Sequence, residues 1–117
     1  MASPMAERFL MTQPAFPIFL FDGFDLSVAS TLKQLQADLE PVDAQSGVFD
    51  TYDSEGRRVS LGTVKGRISA EVDPTQPVAV RDFEERLRKF LKGKRHPAAA
   101  DQSCDLPCLI KNCVRLV

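Results

Sequence analysis

The alternation of apolar and polar residues is most regular over residues 47–73, where it predicts a β-meander of three short strands. In the first strand Asp50 and Tyr52 fall on one face, because successive side chains of a strand point to opposite sides. Two further alternating segments follow, at residues 59–63 and 67–72. The turns between the strands contain glycine, which suits the positive φ of tight hairpins.

A dense aromatic and aliphatic run at residues 16–21 predicts one more strand before the meander. The run is apolar throughout, so we expect a mostly buried strand. Pro17 lacks a backbone N–H, and it marks an edge or an entry point of that strand.

Two segments carry the spacing of amphipathic helices. Leucines recur at intervals of three and four within residues 31–40, and Pro41 ends that helix. Ser30 and Ser27 are alternative N-caps for it. Residues 81–93 form the clearest helix, because an apolar stripe runs along them and their acids precede their bases, as the helix macrodipole favours.

Together these elements predict an α+β fold of order β-α-β-β-β-α, in which one antiparallel sheet carries both helices on one face. The predicted organisation is a flexible N-terminus at residues 1–14, a domain at residues 15–93, and a linker with a cysteine-containing tail at residues 94–117. Met11 is an alternative start of the chain. The first and the last strand are the expected sheet edges, and either could pair with a second copy, so we expect a monomer or a homodimer.

Composition supports a single domain: the chain has 117 residues, of which 44% are hydrophobic and 26% charged. The net charge of -1 hides an asymmetry. Residues 1–56 carry nine acidic and two basic side chains, whereas residues 57–117 carry seven acidic and thirteen basic ones. Each sign could occupy a face of its own and meet a partner of opposite charge.

The cysteines are Cys104, Cys108 and Cys113, an odd number confined to the end of the chain. Such a set does not make the disulfide framework of a secreted domain. There is also no run of about eighteen apolar residues and no signal-peptide pattern. We therefore expect free thiols in a loose tail and a cytoplasmic protein that contacts no membrane.

Catalytic and metal-binding motifs are not apparent. The one histidine, His96, precedes Pro97 in the predicted linker, far from any positioned nucleophile. His96 and the three cysteines are ligands of the right type for zinc, but they lack the close Cys-x-x-Cys spacing of common structural sites. No glycine-rich loop joins a strand to a helix. The sequence predicts no enzyme, no cofactor and no metal site.

A weak pattern links the first helix to the meander. It consists of Leu39-Glu40-Pro41-Val42-Asp43, then Gly47, then Tyr52-Asp53-Ser54-Glu55-Gly56-Arg57-Arg58-Val59. This order resembles small uncharacterised bacterial proteins, some of which are similar to immunity proteins that neutralise a toxin by binding it. The resemblance covers roughly residues 16–92 and implies a protein-binding role, but it assigns no residue.

Two charged sets are the candidate binding surfaces. The leading hypothesis is a non-catalytic protein-binding module, immunity-like, whose acidic side chains face a basic partner. The acidic set is Asp38, Glu40, Asp43, Asp50, Asp53 and Glu55. The alternative is a nucleic-acid-associated regulator that contacts phosphates through the second helix and its exit. The basic set is Arg86, Arg88, Lys89, Lys92, Lys94 and Arg95.

Overall fold

A computed structural model describes residues 13–23 and 25–117, so most of the predicted N-terminal segment, including Met11, lies outside the described residues. The protein is an α+β domain with antiparallel sheets, as predicted. Its elements in order are β1 (Ile18–Asp22), β2 (Asp25–Ala29), α1 (Leu32–Asp38), α2 (Pro41–Ser46), β3 (Asp50–Tyr52), β4 (Val59–Val64), β5 (Arg67–Val72), α3 (Val80–Gly93), a 3₁₀ turn (Pro97–Ala99) and α4 (Leu106–Leu116).

Strand β1 lies at the centre of a three-stranded sheet, between β2 and β3. The expectation that it forms an edge was wrong. Phe19 and Phe21 are buried on one face of the strand, while Ile18 and Leu20 are buried on the other. A strand with apolar side chains on both faces needs other elements packed against each face. Only a central position in the fold provides this, which explains why β1 lies between β2 and β3.

The edge position is taken by β2, which the predicted element order lacks. Its register runs from Ile18 opposite Ala29 to Asp22 opposite Asp25. Gly23, with φ of +60°, lies in the connecting turn. Residues 25–29 pair along their whole length with β1 and complete a hairpin.

The predicted meander is divided between two sheets. Strands β4 and β5 form a separate antiparallel pair, and a single bridge between Tyr52 and Arg58 joins β3 to β4. The Asp53 carboxylate accepts the backbone N–H of Arg57 and closes a turn immediately after β3. The Asp53 N–H also donates to the Arg57 carbonyl at 2.9 Å, so the turn brings the chain back beside β3, where it forms the one bridge between Tyr52 and Arg58.

Gly56 in that turn is required by its surroundings. Its φ is +80°, and a Cβ at this position would approach the Cα of Val80 to 2.9 Å. The Gly56 carbonyl also accepts the N–H of Ala79, the residue before α3. The start of α3 therefore packs directly against the turn.

Helices cover both faces of the β2-β1-β3 sheet, which corrects the expectation of two helices on one face. On one side lies the aromatic cluster, which consists of Phe19, Phe21, Leu26, Tyr52, Phe83, Leu87, Phe90, Leu91, Ala98, Cys104, Leu109 and Cys113. On the other side lies the aliphatic cluster, which consists of Ile18, Leu20, Ala29, Leu35, Ala44 and Ile68. Successive side chains of β1 point to opposite faces of the sheet. Helices α3 and α4 therefore pack on the aromatic cluster, and α1 and α2 pack on the aliphatic cluster.

The first predicted helix, expected at residues 31–40, is α1, and a second short helix that was not predicted, α2, follows it. Thr31 caps α1, because its hydroxyl accepts the Gln34 N–H at 3.0 Å, so neither serine is the N-cap. Pro41 ends the first helical segment and is also the first residue of α2. A proline is well placed there, since the N–H that it lacks has no partner within a helix anyway.

Helix α3 agrees with its prediction in position and in buried stripe. The C-terminal segment does not form the expected linker and loose tail. Helix α4 packs against α3 and buries Leu109 and Cys113 in the aromatic cluster. Asp105 caps α4 by accepting the N–H of Cys108 at 3.2 Å.

Candidate functional site

The structure does not bring the acidic set together as one free surface. Asp53 is fully buried, so it cannot face a partner. Its carboxylate accepts the backbone N–H groups of Ala15, Glu55 and Arg57 at 3.0–3.1 Å, and Nε of Arg57 at 2.7 Å. A carboxylate with this many donors stabilises the turn between β3 and β4, and the alternating pattern gave no sign of that role.

Two other members of the acidic set also have arginine partners. Asp50 lies between Nη2 of Arg58 at 3.2 Å and Nη2 of Arg86 at 2.9 Å. Glu55 accepts Nη2 of Arg57 at 3.0 Å. Their charges are therefore neutralised within the domain rather than presented to a basic partner.

The remaining acids lie at the ends of α1 and α2. Asp43 accepts the N–H of Glu40 at 3.3 Å, at the start of α2. Within residues 13–23 and 25–117, Asp38 and Glu40 form no ion pair. Of the six acids, Asp38 alone lines the groove beside β2 that is described below.

The arginines around Asp50 also enclose a buried tyrosine. The Tyr52 hydroxyl donates to the carboxylate of Asp82 and accepts Nη1 of Arg58 at 3.1 Å. The Arg58 guanidinium lies over the Tyr52 ring, 4.8 Å from its centre. Burial, and secondly the bond to Asp82, raises the pKa of Tyr52 above its usual 10.0. The phenol therefore keeps its proton near neutral pH and serves packing rather than proton abstraction.

The basic set divides into two parts. Arg86 pairs with Asp50 and Asp82, and Arg88 donates to the carbonyls of Asp101 and Cys104. The other four form no ion pair with a carboxylate in the described part of the chain, and all four are exposed at the C-terminal end of α3 and its exit. These four are Lys89, Lys92, Lys94 and Arg95.

A groove of about 510 Å³, here called the edge groove, runs beside the outer edge of β2. Strand β2 forms its floor, and the ends of three helices form its walls. The wall residues are Gln34 and Asp38 of α1, Phe90 and Lys94 near the end of α3, and Val114, Leu116 and Val117 at the end of α4. A second cavity of about 500 Å³, lined by Asp82, Arg86 and Lys89, shares Asp25, Phe90 and Lys94 with this groove.

The edge groove offers both backbone and apolar side chains. The hydrogen bonds of β2 within residues 13–23 and 25–117 are those of its pairing with β1, and just beyond the strand the Ser30 N–H donates to Gln34 at 2.8 Å. Val114 is 37% exposed and Leu116 is 42% exposed. A half-open strand edge next to exposed apolar side chains is the arrangement that accepts an added strand.

Sequence analysis missed both main parts of this groove. For β2, the available signal was a turn sequence between the apolar run at residues 16–21 and the alternating residues 25–29. That turn sequence is Asp22-Gly23-Phe24-Asp25. For α4, the signal was Asp105 as an N-cap, followed by Leu106, Leu109 and Cys113 at helical spacing. Two of the three cysteines, Cys108 and Cys113, are residues of this helix.

The cysteines are not all free. Cys104 and Cys108 form a disulfide, which corrects the expectation of free thiols, and Cys113 is a buried thiol. Burial raises the pKa of Cys113 to about 12. Across the described residues, no three His, Cys, Asp or Glu side chains are grouped so that they could hold a metal ion.

Two more observations complete the description of the chain. No helix of the described part is both long and apolar enough to cross a bilayer. No protein-family model, no curated protein and no solved structure matches this sequence or its fold, so the arrangement of side chains is the basis for any functional proposal.

Proposed function

We propose that the protein is a non-catalytic binding module that receives an extended segment of a partner protein along the outer edge of β2. The observation that carries this proposal is the edge groove, where the free side of β2 lies beside exposed apolar side chains of α4. An added strand gains main-chain hydrogen bonds from such an edge, and its alternate side chains enter the neighbouring pockets.

Negative charge at one end of β2 favours a basic residue in the bound partner segment. Asp22 and Asp25 are directly opposite each other in the hairpin, and both are exposed. Like charges in directly opposed positions destabilise a strand pair. Neither carboxylate has a cation within 4.0 Å in the described part of the chain, so a lysine or arginine of the partner would relieve their repulsion.

This proposal keeps the basic partner of the sequence hypothesis but moves the binding surface. Asp38, on the wall of the edge groove, is the one member of the acidic set that takes part. An immunity-like role, in which the chain neutralises another protein by covering it, is one form of the same proposal. The segment bound along β2 would then belong to the neutralised protein.

A selection of displayed linear peptides on the immobilised full-length chain tests the proposal. We expect enriched peptides that alternate apolar residues and carry a lysine or arginine near one end. In the best of these peptides, N-methylation of single backbone amides should weaken binding about tenfold or more at every second position, because only alternate N–H groups face β2.

Two matched variants locate the bound peptide. Leu116→Glu introduces a charge into the edge groove and should abolish binding of the selected peptide. Val42→Glu, at an exposed valine of α2 outside the groove, should leave it unchanged. Equal binding by the two variants, or a loss at consecutive N-methyl positions, would refute the proposal. A stable dimer that excludes the peptide would also refute it, because a second copy would then occupy the edge.

The four unpaired cations at the end of α3 favour a second candidate, a nucleic-acid-associated regulator. Lys89, Lys92, Lys94 and Arg95 are close in sequence and exposed, which suits contact with phosphates. In this case a fluorescent oligonucleotide should bind with an affinity that falls steeply with salt. The pair Lys89→Glu and Lys92→Glu should reduce both the affinity and the salt slope, whereas Leu116→Glu should not.

We also propose a cytoplasmic location, on the odd number of cysteines in the chain. Structural disulfides are rare in that compartment, where those that occur usually form and break. Under this proposal the Cys104–Cys108 disulfide forms and breaks by exchange with thiols.

A further inference from the structure

The Cys104–Cys108 disulfide joins the loop before α4 to the first turn of that helix. Cys104 immediately precedes the N-cap Asp105, and Cys108 is the third residue of the helix. Only three residues separate the sulfurs in sequence, so the bond closes a small loop. The loss of chain entropy that a disulfide imposes on the unfolded state increases with the length of the closed loop, so a loop this small contributes less stability in this way than a long one would.

The two sulfurs differ in their access to solvent. Cys104 is 2% exposed and belongs to the aromatic cluster, whereas Cys108 is partly exposed at the rim of that cluster. A thiolate that attacks a disulfide must reach one sulfur, and access decides which one. This geometry makes Cys108 the attacked sulfur and Cys104 the leaving sulfur.

Two features act on both sulfurs of the disulfide. The side-chain amide nitrogen of Asn112 lies 3.9 Å from Sγ of Cys104 and 3.5 Å from Sγ of Cys108, so one donor reaches both sulfurs. Both cysteines also lie at the N-terminal end of α4, where the helix dipole favours a negative charge. The exposed Asp105 carboxylate at the cap opposes this effect and keeps it moderate.

The third cysteine takes no part. The Cys113 thiol is fully buried and donates to the Leu87 carbonyl, with Sγ 3.7 Å from that oxygen. Because burial raises its pKa to about 12, the thiol stays protonated and unreactive near neutral pH.

We propose that Cys108 is a site of reversible S-thiolation by low-molecular-weight thiols. A thiolate attacks Sγ of Cys108, the Cys104–Cys108 bond breaks, and its electron pair leaves with Cys104, which takes a proton from water. Cys108 is then joined to the small thiol in a mixed disulfide. A second thiolate attacks the sulfur of the bound small thiol, Cys108 leaves and is protonated, and the two small thiols become one disulfide. The two electrons that reduce the protein come from these two thiols.

The test compares two variants of the full-length chain, each incubated with glutathione disulfide and followed by intact-mass spectrometry. Cys104→Ser retains the accessible sulfur and should acquire one glutathione at least about ten times faster than Cys108→Ser, which retains the buried one. A Cys113→Ser chain, which keeps the Cys104–Cys108 disulfide, should exchange with reduced glutathione at the same rate as the wild type. Equal rates for the first two variants, or faster reaction of Cys108→Ser, would overturn the proposal.

The wild-type chain gives an independent measurement that does not depend on how the variants fold. Brief treatment with reduced glutathione, an acid quench and peptide mapping should find the glutathione adduct on Cys108, with Cys104 as the free thiol. An adduct on Cys104, or a disulfide that resists glutathione until the chain is denatured, would contradict the assignment.

Discussion

The two faces of strand β1 are packed very differently. The aromatic cluster contains twelve buried residues and is covered by α3 and α4, whereas the aliphatic cluster contains six and is covered by α1, α2 and the β4–β5 pair, which contributes Ile68. Helices α3 and α4 have fourteen and eleven residues, but α1 and α2 have only seven and six. Helices of the shorter lengths are not stable on their own and depend on the packing they receive.

The aliphatic face also contains an unsatisfied polar group. The Thr51 side chain, opposite Leu20, is 2% exposed, and its hydroxyl has no hydrogen-bond partner among the described residues. A small cavity of about 200 Å³ lies beside it. The aromatic face, by contrast, is filled by Phe19, Tyr52 and Phe83 in ring contacts of 5.1 Å. We infer that the aromatic cluster provides most of the stability and supports the helices that wall the edge groove.

The largest effect should come from a truncation in the aromatic cluster. Phe83→Ala removes a fully buried ring that contacts three other aromatic rings, and we expect a loss of about 3–5 kcal/mol in the free energy of unfolding. Leu35→Ala in the aliphatic cluster should cost less, because the neighbouring short helices can move into the space. Urea denaturation measures the free energy of unfolding of both variants. A larger loss for Leu35→Ala than for Phe83→Ala would contradict the claim that the aromatic cluster provides most of the stability.

The packing of α4 gives the next largest effect. Leu109→Ala should cost about 2–4 kcal/mol, because Leu109 is fully buried against the aromatic cluster. Leu116→Ala on the same helix should change stability by about 0.5 kcal/mol or less, since that side chain is 42% exposed. If both variants unfolded like the wild type, the segment would be a separate tail, as sequence analysis predicted.

Asp53 and Asp38 give a similar contrast between two members of the acidic set. Asp53→Asn should cost about 1–3 kcal/mol, because the buried charge binds three N–H groups and Arg57. Asp38→Asn should leave thermal stability nearly unchanged, since Asp38 is exposed. Equal melting temperatures would show that the turn after β3 does not depend on the carboxylate.

A pH dependence, expected only at alkaline pH, belongs to the aromatic face. The pKa of Cys113 is about 12 in the folded chain and near 9.0 in the unfolded one, so between these values the unfolded state releases a proton that the folded state retains. Stability is therefore complete below pH 9 and falls as the pH rises toward 12. Cys113→Ser should lose less stability over this range than the wild type does. Parallel losses in the two proteins, measured by urea denaturation at pH 8 to 10.5, would exclude Cys113 as the cause.

Much of the fold follows from local sequence patterns. The strands of the 47–73 region and the buried stripe of α3 were predicted because period and polarity agree over many residues. The division of that region into two sheets was not predicted, because it depends on the pairing of β3 with the distant strand β1 while β4 pairs with β5. The position of β1 depends on covering both of its faces, which no property of the strand alone determines.

The candidate site was harder to predict for a related reason. An acid in a charged cluster looks the same in the sequence whether it is exposed, as Asp38 is, or buried against an arginine, as Asp53 is. The edge groove is formed by elements distant in the chain, since β2 and the end of α4 are separated by almost the whole domain. A groove of this kind depends on long-range packing and leaves no local motif.

Amide hydrogen exchange across β2, measured by NMR with and without a selected peptide, tests the central claim most directly. In the free chain, alternate amides of Asp25–Ala29 should exchange rapidly, because they point away from β1, and the peptide should protect the same amides. If all β2 amides were already protected in the free chain, or if the peptide protected none of them, the outer edge of β2 would not be the binding site.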